Sequence, residues 1–592
     1  MPHPATAPDA VTTTSGFLLV LAIVVPVAGA LLAFVVGGRY IERIAFAVIL
    51  LGLAIAVAIL VALQQSDGPL VYLLGAWAPP LGVALRADGL SAIMMIAAAV
   101  VICAVGIFAG ADFGPAGDES RAPFAFWVLL MAIWAALNTV FLGGDLFTLY
   151  VALELVTFAA VPLVSLDGRA ETLRAALRYL LFALLGSVLY LLGTALLYGL
   201  CGTLDVVLLS RRVGAEPAAL AAAALMTTGL LAKTALFPLH LWLPPAHAGA
   251  PAAASAILSG LVVKGSFFII VRLWFQVMPG LPGFAATQLL AALGAAAVVF
   301  GSVVALRQER LKLLIAYSTL AQIGYLFLMF PLAFDASGQL ESGGALMGGL
   351  LQAVSHATAK AAMFMAAGSI YAVLGQDRIA ALDGLGRALP ISVLTFALSG
   401  CALMGLQPSG AYLAKELLLQ AAADKGQWWW TVVLYSGGIF TGAYVLLVLA
   451  HALAPASKPV AFSGAALRIR ETAALILALC SLLLGLVPWG QYLSIPYGIP
   501  SNLLSPGALS KSLLTILGGA VVALLLGRWE RPPVQSTMLK ALDGIFGPVR
   551  RASLIFGGLV ERIDVVLCQW PAAGICLLAL TLLFGASMLT AA

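Results

Sequence analysis

Charge is the scarcest property of this sequence. Asp, Glu, Lys and Arg make up only 9% of its 592 residues, while 62% are hydrophobic and the mean hydropathy is +1.09. A soluble core of that size would need far more polar surface, which leaves a polytopic membrane protein. No stretch is long and polar enough for a soluble nucleotide-binding domain, and no glycine-rich loop reads as a phosphate or dinucleotide cradle. The glycines fit close helix packing instead. Cysteine is sparse too. Cys103, Cys201, Cys401, Cys480, Cys568 and Cys576 lie singly in or beside apolar runs, with no CxxC. They read as small buried hydrophobes, not as a disulfide framework or an iron–sulfur site. No HExxH or acidic cluster supports a metal site, so neither cofactor nor metal is expected in this chain. The net charge of +5 is spread over loops and offers no surface for nucleic acid. The start, MPHPATAPDAVTTTSG, lacks a basic n-region, so the first apolar run is expected to be a retained span.

What the chain does have is long apolar runs. At roughly 20 residues per crossing, about sixteen helices are expected, near 16–37, 42–64, 88–111, 122–143, 145–166, 174–200, 218–241 and 251–274, then near 284–306, 311–332, 344–374, 389–423, 428–453, 471–489, 509–527 and 571–590. Loops after odd-numbered spans carry more base: Arg39 and Arg43, Arg169 and Arg174, Arg307, Arg310 and Lys312, Arg378 and Arg387, and Lys458, Arg468 and Arg470. Loops after even spans hold chiefly Arg86, Arg211, Arg212, Lys425 and Lys511. The positive-inside bias predicts the N-terminus outside, in a bacterial inner (plasma) membrane. LVYLLGAWAPPLGVALRADGL, around Pro79-Pro80, reads either as an outer hairpin or as an irregular loop. From Gln535 to Val566 apolar residues recur at helical spacing between charges, predicting an amphipathic surface helix interrupted near Gly547-Pro548.

The stretch Met226–Leu273 organises the rest. It holds two apolar runs joined by a proline-rich elbow, with Lys233 in the first and Lys264 in the second. A charge at bilayer depth costs on the order of 3 kcal/mol or more unless it is paired or wetted, so two beside a proline break point to a path for ions or protons. Lys360 and Lys415 also lie within apolar runs, whereas Lys312, Lys425, Lys458, Lys511 and Lys540 sit at ends or in loops. Glu154 is either a partner that locks two helices or a carboxylate that tunes the proton affinity of a nearby lysine. His240 and His247 flank the elbow, and His356 precedes Lys360 by one helical turn; each fits a proton relay or a packing hydrogen bond. Tyr317, Ser318 and Gln322 would complete a hydrated file between Lys264 and Lys415, or bond helix to helix. Glu416 would pair locally or face a cavity. A coarse repeat is visible as well. One block, 122–274, has its lysine helix broken at Pro238; the other, 284–453, has a helix broken at Gln407-Pro408-Ser409-Gly410. Paired broken helices are the usual pointer to inverted repeats with a site at mid-depth.

Several motifs carry a family resemblance. GDLFTLYVALELVTF, AKTALFPLHLWLPPAHAGAP with SAILSGLVVK, LKLLIAYSTLAQIGY, SHATAKAAMFMAAGSIY and QPSGAYLAKELLL resemble the antiporter-like subunits of respiratory complex I (NADH:quinone oxidoreductase), Mrp-type cation/proton antiporters and membrane-bound hydrogenases, over about Asp88 to His451. The resemblance implies an all-α fourteen-helix core of two inverted five-helix repeats. It matches Glu154 to the family's fifth-helix glutamate, Lys233 and Lys264 to its seventh- and eighth-helix lysines, His356 and Lys360 to its eleventh-helix pattern, and Lys415 to the twelfth-helix lysine or glutamate. Pro245 stands where the family usually has an aspartate, so any loop role of that acid is lost. The expected organisation is an N-terminal three-helix segment (1–112), two repeats (120–275 and 283–455), C-terminal helices (465–530), the amphipathic helix (535–567) and a terminal span (570–592).

On this reading the chain is a proton-translocating subunit of a larger membrane assembly, incomplete as an enzyme and without a redox cofactor of its own. Protons would reach Lys233, cross by water and Lys264 to Lys415, and leave on the other side, with supporting relays at His240, His247, His356, Lys360, Tyr317 and Gln322. Its partners would be the bilayer, other membrane subunits, and protons. The rival readings are one component of a sodium (or other cation)/proton antiporter and an energy-coupling partner for uptake of another solute.

Overall fold

A computed structural model describes residues 11–113, 121–279, 281, 283–335, 340–455, 465–492, 506–526 and 537–589. Where lipid offers the backbone no partner, every N–H and C=O must be satisfied within the segment, and the apolar runs accordingly form helices. Fifteen described helices are long and apolar enough to cross a membrane. The first six are α1 (Phe17–Val36), α2 (Ile41–Gln64), α3 (Gly89–Gly110), α4 (Arg121–Leu142), α5 (Leu146–Val164) and α6 (Ala170–Cys201). They are followed by α7 (Pro217–Thr234), α8 (Ala252–Val277), α9 (Gly283–Arg307), α10 (Leu311–Ala333) and α11 (Gly343–Leu374). The run expected at 389–423 is two shorter helices, α12 (Pro390–Leu403) and α13 (Gly410–Asp424). Then come α14 (Trp428–Ala452), α15 (Leu467–Leu486), α16 (Pro506–Leu526), α17 (Thr537–Leu567) and α18 (Trp570–Leu589). The fold is an all-α polytopic membrane protein.

Short polar side chains set where several helices begin. Asp88 caps α3 through the Ser91 amide at 2.9 Å, Asp145 caps α5 through Thr148 at 2.8 Å, and Ser409 caps α13 through Tyr412 at 3.1 Å. Each satisfies an amide that would otherwise be orphaned. The loop before α3 is a hairpin, Leu70–Leu73 antiparallel to Ala84–Ala87 with Leu70 opposite Ala87.

Two interruptions share one backbone pattern. After α7, Ala235 is left-handed (φ 59°) and Pro238 follows in a cis peptide; after α12, Gly405 is left-handed (φ 73°) and Pro408 follows in a cis peptide. The left-handed residue ends the helix, and the proline three positions on cannot donate to a continuing ladder. Gly405 takes that conformation freely; for Ala235 it costs about 1–2 kcal/mol. Inside α8 the ladder loosens twice, in π turns at Leu258–Val262 and Leu273–Val277 on either side of Lys264.

The C-terminal segment differs from expectation. α17 is one unbroken helix that carries Pro548 inside it. A proline removes a single ladder bond and crowds the carbonyl four residues back, and a long helix can absorb that without ending. Residues 535 and 536, the start of the expected stretch, lie outside the described residues. α17 packs on α9 and α16, and α18 packs on α7 and α9, while Val549, Phe556, Leu559 and Val566 stay exposed, an apolar face suited to lipid.

Close glycine contacts set helix spacing between α9 and α10. A Cβ on Gly324 would lie 2.2 Å from the Gly294 carbonyl oxygen, and one on Gly294 2.5 Å from that of Gly324. Backbones this near tolerate only glycine. Gly324→Leu is therefore expected to part the two helices, destabilising the protein by about 1–3 kcal/mol; a lowered melting temperature in detergent checks it, and unchanged melting would refute the tight packing.

Candidate functional site

Lys233 leaves the last turn of α7 and reaches α5. Its Nζ donates to Glu154 Oε1 at 3.2 Å and to Thr157 Oγ1 at 2.9 Å. Thr157 lies one turn beyond Glu154, so α5 presents a carboxylate and a hydroxyl to the same amine. Among the described residues Glu154 Oε2 has no partner. The pair is thus half-committed: one carboxylate oxygen holds the lysine and the other is left for a second donor.

Lys264 is fully buried, and its Nζ donates to the Ser259 carbonyl at 2.5 Å, in the neighbouring π turn. A π turn shifts the ladder by one residue and leaves room for such an extra donor. The Ser259 hydroxyl meets Thr319 Oγ1 of α10 at 2.9 Å. One residue earlier on α10, Ser318 accepts a short bond from Lys360 of α11, whose Nζ also reaches the Ile315 carbonyl at 3.3 Å. Lys360 therefore ends on the hydroxyl-bearing turn of α10, and Lys264 ends on Ser259, whose hydroxyl meets that turn.

One turn on, Gln322 continues the line. Its Oε1 accepts from Gln352 of α11 at 2.9 Å, and its amide donates to Thr441 of α14 at 3.1 Å. Gln352 and Lys415 line one cavity of about 10 Å³ with Tyr325, Gly405 and Gly438, close to the room one water needs. A Cβ on Gly438 would lie 3.2 Å from Lys415 Nζ, so that glycine leaves space for the amine. Lys415 lies over the Tyr435 ring at 4.7 Å. Glu416 turns the other way and pairs with Lys511 of α16 at 3.3 Å.

The histidines divide. His247 stacks on Phe364 at 4.7 Å. Among the described residues, neither ring nitrogen of buried His247 or His356 has a hydrogen-bond partner. Buried imidazoles need partners, which makes these positions natural ones for water. His240 lies elsewhere: its Nε2 meets Asp564 of α17 at 2.9 Å. Tyr317 joins it there, its hydroxyl donating to the other Asp564 oxygen at 2.5 Å, and so leaves the expected file between Lys264 and Lys415.

The sequence concealed several of these groups. Thr157, Ser259, Thr319, Gln352 and Thr441 are ordinary polar residues of apolar helices, visible only once their partners are known. Lys312, expected at a helix end, is indeed there but buried, its Nζ donating to the Ala250 carbonyl at 3.1 Å. On the side of the hairpin, a cavity of about 670 Å³ reaches Asp88, Arg272, Gln276, Gln64 and Asp67. Arg272, two turns beyond Lys264 on α8, grips Asp88 with both terminal nitrogens and donates to Ser91 Oγ at 2.8 Å.

The family described as NADH:quinone oxidoreductase/Mrp antiporter, TM matches residues 143–441. That span holds Glu154, Lys233, Lys264, Lys360 and Lys415, and ends before α17. The chain is 30% identical to NADH-quinone oxidoreductase subunit N of Desulforudis audaxviator over 449 residues, 74% of this chain and 87% of that protein. It is 29% identical to an Na(+)/H(+) antiporter subunit of Alkalihalophilus pseudofirmus over 409 residues, 68% and 80% of the two chains. In shape it is similar to a chain of the Mrp complex from Dietzia sp., with a TM-score of 0.72 and 25% identity, covering 87% of this chain and 98% of that one.

The Gln322–Gln352 bond joins α10 to a residue lining the Lys415 cavity. Gln352→Leu removes it at nearly constant volume. Proton flux through the intact assembly is expected to fall about tenfold, the barrier equivalent of one lost hydrogen bond of about 1.4 kcal/mol. Wild-type flux would take Gln352 out of the line.

Proposed function

The chain belongs to the NADH:quinone oxidoreductase/Mrp antiporter transmembrane family, and we propose that it moves protons across the membrane through the line from Lys233 to Lys415, driven by partner subunits. It is an integral-membrane, antiporter-like subunit related to those of respiratory complex I. The observation that carries the reading is the run of polar groups near the buried amines: the Ser259 carbonyl at Lys264, with the Ser259 hydroxyl on Thr319, then Ser318 at Lys360, then Gln322 and Gln352 up to the cavity at Lys415. Each group both donates and accepts, or does so through an adjoining hydroxyl, as proton hopping requires.

In this mechanism the Glu154–Lys233 pair sets the state of the first amine. With the carboxylate close, Lys233 holds its proton; when a neighbouring protein of the assembly pulls the carboxylate away, the desolvated amine releases it. Water at His247 and His356 carries the charge toward Lys264 and Lys360, and the α10 hydroxyls pass it on. The cavity at Asp88 and Arg272 is the aqueous approach to the outer face, with the N-terminus outside and the chain in a bacterial inner membrane. Two inverted repeats, each with one broken helix, would carry the two halves of the path. The assembly's other membrane subunits supply the drive, and any redox centre lies in them.

The sodium/proton reading draws on the similarity to the Na(+)/H(+) antiporter of Alkalihalophilus pseudofirmus. The interior line argues for protons as the moving ion: it is lined by amines, which when charged repel a metal cation, and hydrated sodium needs oxygen ligands around it. A coupled sodium would travel elsewhere in the assembly.

The test is Lys264→Ala in the purified assembly reconstituted in sealed vesicles. Proton translocation is expected to be lost while the composition of the assembly stays unchanged. Unaltered pumping by this variant would end the proposal. Flux that persists in sodium-free buffer separates the two driving schemes.

A further inference from the structure

Among the described residues, Asp564 is the one acidic side chain that the C-terminal helix α17 brings against the break after α7. One oxygen meets His240 Nε2 at 2.9 Å, and the other accepts from the Tyr317 hydroxyl at 2.5 Å. Cys568, one turn on along α17, brings its thiol to 4.0 Å. His240, Tyr317 and Asp564 come from three different places in the chain. His240 sits in the break after α7, Tyr317 lies on α10, and the acid follows His240 by 324 residues. Neighbouring charge is already matched: Glu561, one turn earlier, pairs with Arg307 of α9 at 3.3 Å. The donor atoms of His240, Asp564 and Cys568 lie within 4.8 Å of one another, but the histidine nitrogen and both acid oxygens are engaged in these bonds.

His240 is fully buried, its ring 5.7 Å from Phe237 and 5.6 Å from Phe300. Among the described residues its second nitrogen, Nδ1, has no hydrogen-bond partner. An imidazole set beside two rings, with one nitrogen on an acid and the other buried without a partner, can take a proton at one end and release one at the other. Asp564 is the more accessible end, with a tenth of its side chain exposed against none for His240. Tyr317 is adjacent to Ser318, the residue that holds Lys360. One carboxylate thus touches the break after α7 and the α10 turn that holds Lys360.

We propose that Asp564, His240 and Tyr317 form a proton-loading site, in which the carboxyl of α17 takes up a proton and passes it to His240 Nε2, returning to carboxylate as the ring becomes imidazolium, and the Nδ1 proton then leaves to a water molecule. The proton count balances: the neutral ring starts with its proton on Nδ1, gains one on Nε2 from Asp564, loses the Nδ1 proton to water as hydronium, and a tautomer exchange resets it. The inference rests on the proton-translocating reading above and adds its point of uptake. It also makes α17 part of the path. His240 and Tyr317 lie within the family match, which ends at residue 441, and Asp564 lies beyond it, so the acid is what this chain adds to the site.

A structural clamp would use the same contacts, and Asp564→Asn separates the two roles. Asparagine keeps an oxygen for Tyr317 and an N–H for His240 but cannot take up a proton. In the reconstituted assembly, Asp564→Asn is expected to lower proton flux at least about tenfold, with unchanged assembly and melting, and Asp564→Glu is expected to restore part of it. Wild-type flux in Asp564→Asn, with Lys264→Ala inactive, would overturn this site and leave the channel standing. Flux that survives in Lys264→Ala would overturn both. Should Asp564→Asn fail to assemble, Tyr317→Phe decides in the same way, because it removes only the hydroxyl: reduced flux supports the site and wild-type flux overturns it.

Discussion

An ammonium group in a membrane interior is tolerable only against oxygen or the face of a ring. Isolated in hydrocarbon it costs several kcal/mol; Lys233, Lys264 and Lys360 avoid that cost by small bonds to hydroxyls, carbonyls and one carboxylate, and Lys415 by the Tyr435 ring. Much of the architecture follows from this need. A carbonyl is offered to Lys264 by a π turn, a threonine and a glutamate one turn apart meet Lys233, and the absence of a side chain at Gly438 makes room for Lys415. Only the Glu154 contact brings a full opposite charge. Neutral oxygens hold an amine without fixing its proton, and a site that must give the proton up again is better served by them than by a tight ion pair.

The same need accounts for the broken helices. A continuous helix satisfies its own backbone and has nothing left for a side chain or a water; a break frees carbonyls and amides at mid-depth. α7 ends one residue after Lys233, and α13 starts five residues before Lys415, so both amines lie close to a freed helix end. The interruptions and the lysines belong to one device.

How much of this the sequence disclosed depended on contrast. A lysine among leucines and valines stands out, and so Lys233, Lys264, Lys360 and Lys415 could be named from their neighbours in the chain alone. The spans were legible because an apolar run of bilayer length has few other uses. The threonines, serines and glutamines joining the amines were not, since such residues are common in packed membrane helices and their partners lie far away in the chain. Asp564 was hidden for the opposite reason. Among the charges of an amphipathic helix, an inward acid looks like any other member of the solvated face, and only the fold reveals that this one turns toward His240. Pro548 misled in a related way: its residue type forecast a break that a long helix does not make.

Tyr317, Ser318 and Thr319 are consecutive on α10, yet they serve Asp564, Lys360 and Ser259 in turn. At 3.6 residues per turn, three neighbours fan across more than half the helix circumference. No one of these contacts can be re-aimed by rolling α10 without carrying the other two out of alignment. The helix behaves like an axle with three cams, and regions that never meet one another are obliged to keep a common rhythm.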